Sequence, residues 1–325
     1  MIIDSVKTFN NNSSVFNRIY QRFYVQGERK IDIAASSHWK EFSRKFSVTN
    51  ENGEFRLKGY GFGGQESGVG INNIFTLIGN IFQLVNLNNN TLLGDLRHAK
   101  KIVGSMGLSF SQDAFRQTCS LNLIAKYIGD RQKIKNILVI GDGPGILSAL
   151  MHSYFPGARI TLVDLGSVLF FQSYQLSKAF PETPQCIADE DAPIENGFIF
   201  CPADSLDYVP NVEFDLAVNI ASMQEFDPKV IANYFSLIRE RKTKIFYCCN
   251  RLEKKLVGGE VTRFMDYPWE NADEHLIDEF CPWHQWFMGL SSTPRVRFLG
   301  ISVPFMHRYD GPHWHRLTRL AEKNN

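Results

Sequence analysis

The chain has 325 residues, 44% hydrophobic and 13% aromatic, enough to bury a large core as one big domain or two. Lys and Arg number 35 against 34 Asp and Glu, a formal net charge of +1 that leaves no electrostatic footprint for nucleic acid. The N-terminus lacks a positive region followed by an apolar core, and no run approaches the roughly 18 apolar residues of a membrane span, so a cytoplasmic chain without membrane insertion is expected.

Residues 1–125 hold no βαβ repeat and read as a mainly helical N-terminal cap, where a substrate pocket would be built. Asn-rich stretches at 10–12 and 86–90 and glycine-rich ones at 59–64 and 68–70 mark turns or loops, while 74–87 and 113–128 carry helical apolar spacing. Over residues 126–325 the pattern becomes regular. Strands are predicted at 137–140, 159–163, 198–201, 214–219 and 244–249, with helices at 146–155, 167–180 and 227–240. This α/β alternation predicts a parallel, doubly wound sheet with helices on both faces. Ligands of such sheets bind beyond the C-terminal strand ends, and those ends carry Asp164, Asp204-Ser205, Asn219 through Glu225, and Asn250-Arg251. The six cysteines (119, 186, 201, 248, 249, 281) show no C-x-x-C spacing and read as buried thiols, with no zinc site or disulfide framework expected. The segment 307–315, with three histidines and Trp314, reads as a surface tail rather than a metal site.

The most informative stretch is Ile137-Leu-Val-Ile-Gly-Asp-Gly-Pro-Gly145, followed by Thr161-Leu-Val-Asp164. It describes a strand, a loop whose glycines let the backbone approach a ligand, a helix with unpaired N–H groups at its start, and a second strand ending in an acid. A dinucleotide loop of the form G-x-G-x-x-G needs glycine where Ile146 stands, which argues against a nicotinamide cofactor. The G-x-G-x-G spacing instead resembles the first motif of class I S-adenosylmethionine (SAM) methyltransferases. That resemblance implies a Rossmann-like methyltransferase sheet with SAM as cofactor. The loop residues Gly141, Asp142, Gly143 and Gly145 would lie against the cofactor, and Asp164, with Leu165 beside it, would accept from both ribose hydroxyls. Asp204 and Ser205 would stand at the adenine, with an Asp capping the next turn as the competing reading, and Asn219 would close the site from the fourth strand. Class I enzymes commonly carry an acid two positions before the first glycine. Here that position is Val139, and Asp142 would partly substitute for it.

Asn219-Ile-Ala-Ser-Met-Gln-Glu-Phe226, Tyr247-Cys-Cys-Asn-Arg251, Tyr267-Pro-Trp269 and Asp278-Glu-Phe-Cys-Pro-Trp-His284 together resemble the bacterial sugar O-methyltransferase group over roughly residues 35 to 290. The resemblance implies methyl transfer to a hydroxyl of a sugar or glycan acceptor in surface polysaccharide or a related glycan. Methylating an alcohol needs a group that accepts the proton as the new bond forms. Glu225 is the first candidate, with a helix-start acid as the alternative. His284 is the second, with a histidine packed between Trp283 and Trp286 as the alternative. Arg116 either reaches the methionine carboxylate or pairs with Asp113 one turn away. The five tryptophans, 39, 269, 283, 286 and 314, offer flat faces for sugar C–H groups or simply pack the core. Asp227, Asp266 and Asp278 have no spacing that demands a metal, and none is expected. Two other classes stay open: a natural-product O- or N-methyltransferase, and a non-catalytic partner protein that keeps the fold.

Overall fold

The apolar runs of the second half of the chain become the strands of one sheet in a computed structural model that describes residues 2–6, 14–26, 36–42, 47–51, 54–58, 92–287, 295–298, 301–304, 307–308 and 311–321. The turns and helix expected at 10–12, 59–64, 68–70, 74–87 and 86–90 lie outside the described residues. The first part of the chain supplies β1 (Ile2–Val6), α1 (Val15–Tyr20, continued by a π-helical turn Gln21–Val25), α2 (Ser37–Phe42), β2 (Ser47–Glu51), β3 (Glu54–Lys58), α3 (Leu92–Ser105) and α4 (Gln112–Ile128). Three of these form an antiparallel sheet in the order β1-β3-β2, which helical spacing did not foretell.

The alternation then runs β4 (Asn136–Ile140), α5 (Ile146–Tyr154), β5 (Arg159–Asp164), α6 (Gly166–Ala179), β6 (Gln185–Ile187), β7 (Gly197–Pro202), β8 (Leu216–Ile220), α7 (Pro228–Glu240) and β9 (Ile245–Arg251). Two short hairpin strands, β10 (Glu253–Lys255) and β11 (Val261–Arg263), precede β12 (Glu274–Phe280). The two-stranded pairs of β13 (Trp286–Phe287) with β16 (His307–Arg308) and of β14 (Arg295–Phe298) with β15 (Ile301–Pro304) precede β17 (His313–Arg319).

Eight strands make the central sheet in the order β12-β17-β9-β8-β4-β5-β7-β6. All pair in parallel except β17, which runs against both β9 and β12. The chain starts at β4, steps outward through β5 to β7, then returns to β8 on the other side. The β4/β8 boundary is therefore the topological switch point, where such sheets open a crevice.

Strand alternation divides the core in two. Ile137, Val139, Ile160, Leu162, Tyr247 and Cys249 join one cluster with α1, α3, α4, α5 and α6. Leu138, Ile140, Val163, Cys201, Phe246 and Cys248 join the other with α7. Helix α7 begins where Asp227 accepts from the Lys229 N–H at 2.8 Å and Pro228 takes the first helical position, whose N–H has no partner in a helix anyway. The helices of the first part of the chain thus share a core with the sheet.

The C-terminal segment corrects the surface-tail reading. His313 to Arg319 is an interior strand, and His313, His315, Leu317 and Thr318 are buried. Its polar sequence hid this. Arg316 is neutralised across the register by a two-pronged bond to Asp278 at 2.8 and 2.9 Å, and its guanidinium lies 5.0 Å from the Trp269 ring. The histidines are held neutral by burial, which drives His313 down to about 3 and His315 to about 4. Neutral imidazoles and the paired Arg316 fit this strand to a core that its one-letter pattern does not suggest.

Candidate active site

At the switch point a cleft of about 270 Å³ lies beyond the C-terminal ends of β4, β5, β8 and β9, just below the usual range of small-molecule sites. Its glycine-loop wall includes Gly141, Asp142, Gly143, Pro144 and Ile146, and its far wall includes Ser222, Gln224, Glu225, Phe226 and Arg251. Helix α4 adds Asp113, Arg116 and Gln117, and Trp39 of α2, His284, Asp164 and Leu165 line it as well.

Gly141 (φ +70°) is required by packing as well as by φ, because a Cβ there would stand 2.2 Å from Ser222 Oγ. Ser222 is held in turn by a network joining three strand ends. Its Oγ donates to the Ile140 carbonyl at 3.1 Å, as does Asn219 Nδ2 at 2.9 Å, and Asn250 Nδ2 donates to Asn219 Oδ1 at 2.8 Å. Asn250 Oδ1 accepts from the Gln224 N–H, and Gln224 Oε1 accepts from the Arg251 N–H. The network fixes the turn that carries Glu225 against the ends of β4 and β9. Within that turn Ala221 is held at φ +58°, a conformation that costs a non-glycine residue on the order of 1–3 kcal/mol and that concentrates at functional sites.

Asp164 ends β5 with a buried carboxylate, 9% exposed. Its Oδ2 accepts from the Gly143 N–H at 3.2 Å and from Gln172 Nε2 at 2.6 Å, and its Oδ1 from the Leu165 N–H at 2.8 Å. Burial pushes the carboxyl up to about 7 against the opposite pull of these donors. A carboxylate has about four lone-pair sites, so one more donor from the cleft can be accepted without rearrangement, rather than two. Asp142 is committed differently. Its two oxygens accept from the Leu147 and Ser148 N–H groups at 2.9 and 2.8 Å, capping α5, and burial pushes it up to about 6. The carboxylate thus caps the helix while the residue also lines the cleft, and Val139 is packed in the core.

Glu225 lines the far wall, 18% exposed, and its Oε1 accepts from Lys254 Nζ at 2.7 Å. Arg116 lines the cleft, and the pairing with Asp113 is made: its Nη1 lies 3.3 Å from that carboxylate while its Nε donates to the Trp283 carbonyl. His284 also lines the cleft, 3% exposed, with Nδ1 3.2 Å from Cys281 Sγ. Burial holds its imidazole well below the usual range.

The remaining expected residues stand apart from the lining. Gly145 turns behind the loop against Gln172, and Asn219 is wholly buried in the network above. Asp204 is exposed, and Ser205 Oγ donates to Asp189 at 3.2 Å, so Ala203 is the residue of that turn on the cleft. Sequence reading missed Gln172 and Lys254 as partners of the site and named Asn250 without a role. For Asn250 the signal was its place at a strand end; Gln172, eight residues beyond Asp164 in α6, gave none.

No family model matches the sequence, and no curated protein matches it. Solved structures with partial likeness include the pyocyanin biosynthetic protein PhzM (15% identity, 42% of this chain and 38% of that one, TM-score 0.32). The mitomycin 7-O-methyltransferase MmcR gives 15% identity over 64% of this chain and 57% of that one, TM-score 0.36. The O-methyltransferase TomG from Streptomyces achromogenes, solved with SAM, gives 13% identity over 78% of this chain and 100% of that one, TM-score 0.38. The chain thus spans well under two thirds of the first two. Likenesses this distant assign neither activity nor substrate. What the molecule's own strand order defines is the fold: a Rossmann-like α/β sheet, its reversed strand β17 set between β9 and β12.

Proposed function

We propose that this chain is a SAM-dependent O-methyltransferase whose acceptor is a sugar hydroxyl. The observation that carries the reading is the convergence, at one switch-point cleft, of a glycine loop, the buried Asp164 carboxylate and the Glu225 carboxylate on the opposite wall. Asp164 fits the cofactor because it retains acceptor capacity, and a hydroxyl donor from the ribose would offset the burial that raises its proton affinity. Gly141 and Gly143 would carry the backbone past the cofactor, Leu165 and Ala203 would pack its apolar surface, and Arg116 would meet its carboxylate.

When bound, SAM supplies a methyl group activated by the sulfonium. Glu225, paired with Lys254, would take the hydroxyl proton as the oxygen gains the methyl, so that S-adenosylhomocysteine, a methyl ether and a protonated Glu225 result. The described lining suits a polyhydroxylated acceptor: Asp113, Gln117, Gln224 and Arg251 offer donors and acceptors, and Trp39 and Tyr234 flat faces. A second reading, a planar natural-product acceptor, is favoured by the same aromatic side, where Phe226 and Tyr234 stack with centroids 5.6 Å apart. Release of S-adenosylhomocysteine separates the two when nucleotide sugars, free sugars and phenols are offered in parallel. Sugar-dependent release that Glu225→Gln abolishes supports the first reading, and release with phenols alone replaces it with the second.

A further inference from the structure

Beside the cleft, three soft donors converge from two separate pieces of chain. Strand β9 brings Cys249 on the face opposite to Cys248. The other two come from a single 3-10 turn, Pro282–His284, which Cys281 opens. In such a turn residues three apart stand one above the other, so Cys281 and His284 face the same side. His284 Nδ1 lies 3.2 Å from Cys281 Sγ and 3.7 Å from Cys249 Sγ, and the three donor atoms lie within 4.8 Å of one another. All three residues are buried.

Nδ1 of an imidazole offers one in-plane position, either a single N–H or a single lone pair, yet two thiols approach it. A tetrahedral zinc ion with its usual bond lengths sets sulfur and nitrogen about 3.6 Å apart and two sulfurs about 3.8 Å apart. The two sulfur–nitrogen separations, 3.2 and 3.7 Å, lie on either side of the first value. The C-x-x-H spacing of Cys281 and His284 also matches the short gap between neighbouring ligands in structural zinc sites.

We propose that Cys249, Cys281 and His284 form a binding site for a thiophilic divalent cation of the zinc class. Binding would exchange two S–H bonds for two metal–sulfur bonds and release two protons, leaving a dithiolate–imidazole complex of zero net charge. Neutrality matters in a buried place. Three protein donors leave one tetrahedral position, for water or for His313, whose ring stacks on His284 with centroids 4.8 Å apart.

The test is a cobalt titration of the reduced, chelator-stripped full-length chain. The proposal predicts one equivalent bound, with the intense visible bands of a tetrahedral ion and a thiolate-to-cobalt charge-transfer band, both removed by added zinc. Cys281→Ser should weaken binding by about tenfold or more and cut the charge-transfer intensity, whereas Cys248→Ser, on the other face of β9, should keep the spectrum. If Cys281→Ser fails to fold by circular dichroism, the wild-type and Cys248→Ser spectra still decide. A weak octahedral spectrum in the wild type, or equal binding in folded Cys281→Ser, overturns the site. The readout uses no methyl transfer, so its failure and that of the proposed activity are seen separately.

Discussion

At the β4/β5 end of the cleft, two carboxylates are buried within a single stretch of some 25 residues, and backbone N–H groups satisfy them: Leu147 and Ser148 for Asp142, Gly143 and Leu165 for Asp164. At the β9/β17 end the buried polar groups are thiols and imidazoles drawn from β9, the turn after β12, and β17. There Tyr247 links Ser120 to His315, and Trp283 donates to the same Ser120. The difference teaches how each region can hide polarity. A helix start supplies donors that suit anions, so acids can be local. An interior strand pair has already spent its backbone groups, so neutral side chains must satisfy one another across long sequence distances.

The comparison is broken most directly by removing charge at either wall of the cleft. Glu225→Gln should lower turnover by roughly a hundredfold or more and leave S-adenosylhomocysteine affinity unchanged; full turnover in a methyl-transfer assay would remove Glu225 from the mechanism. Asp164→Ala should weaken cofactor binding by about 1.5–3 kcal/mol, the range for a hydrogen bond to a charged group. Because the wild-type carboxyl sits at about 7, cofactor affinity should also fall as pH drops through neutrality, and Asp164→Asn should flatten that dependence. A flat wild-type profile by calorimetry would contradict the ionised acceptor.

Stability measurements sharpen the contrast, because the two ends bear opposite signs. Gly141→Ala, forced against Ser222 at positive φ, should cost on the order of 1–3 kcal/mol by urea unfolding. Asp142 and Asp164 have raised folded values, so their contribution is present below the unfolded carboxyl range and is lost as pH rises through about 6 to 7. His313 and His315 are lowered, so theirs is present above the unfolded value near 6.5 and is lost as pH falls toward about 4 and 3. His315→Gln should therefore reduce the acid-side loss of stability by about 1 kcal/mol or more, and an unaltered acid limb would show that the imidazole is protonated without cost. The smallest effect belongs to the α1 clamp, where Arg18 meets Glu190 and Asp191, and Arg22 meets Asp189. Arg18→Ala should cost about 0.2–1 kcal/mol and less at high salt.

The same contrast explains what could be read from the sequence. The strand at 137–140 and the helices at 146–155 and 227–240 were legible because glycines, apolar periodicity and Asp227-Pro228 act locally. Asp164, Glu225 and Arg116 were legible as polar residues at strand ends or on a helix leading into the sheet, and they meet in the cleft. Asp204, Ser205 and Asn219 share that position but not that orientation: one residue of shift, Ala203 for Asp204, decides which side chain faces the cleft. The reversed strand β17 was illegible because its burial depends on Asp278 and Trp269, some 40 residues away. Likewise no spacing rule joins Cys249 to Cys281 before β9 and the turn after β12 are packed together.

Isothermal titration of the purified chain with S-adenosylhomocysteine, run beside NAD and repeated with Asp164→Ala, tests the central claim most directly. The account predicts micromolar one-site binding of S-adenosylhomocysteine alone, weakened by about tenfold or more in the variant. Heat from NAD, or from neither ligand, would contradict it.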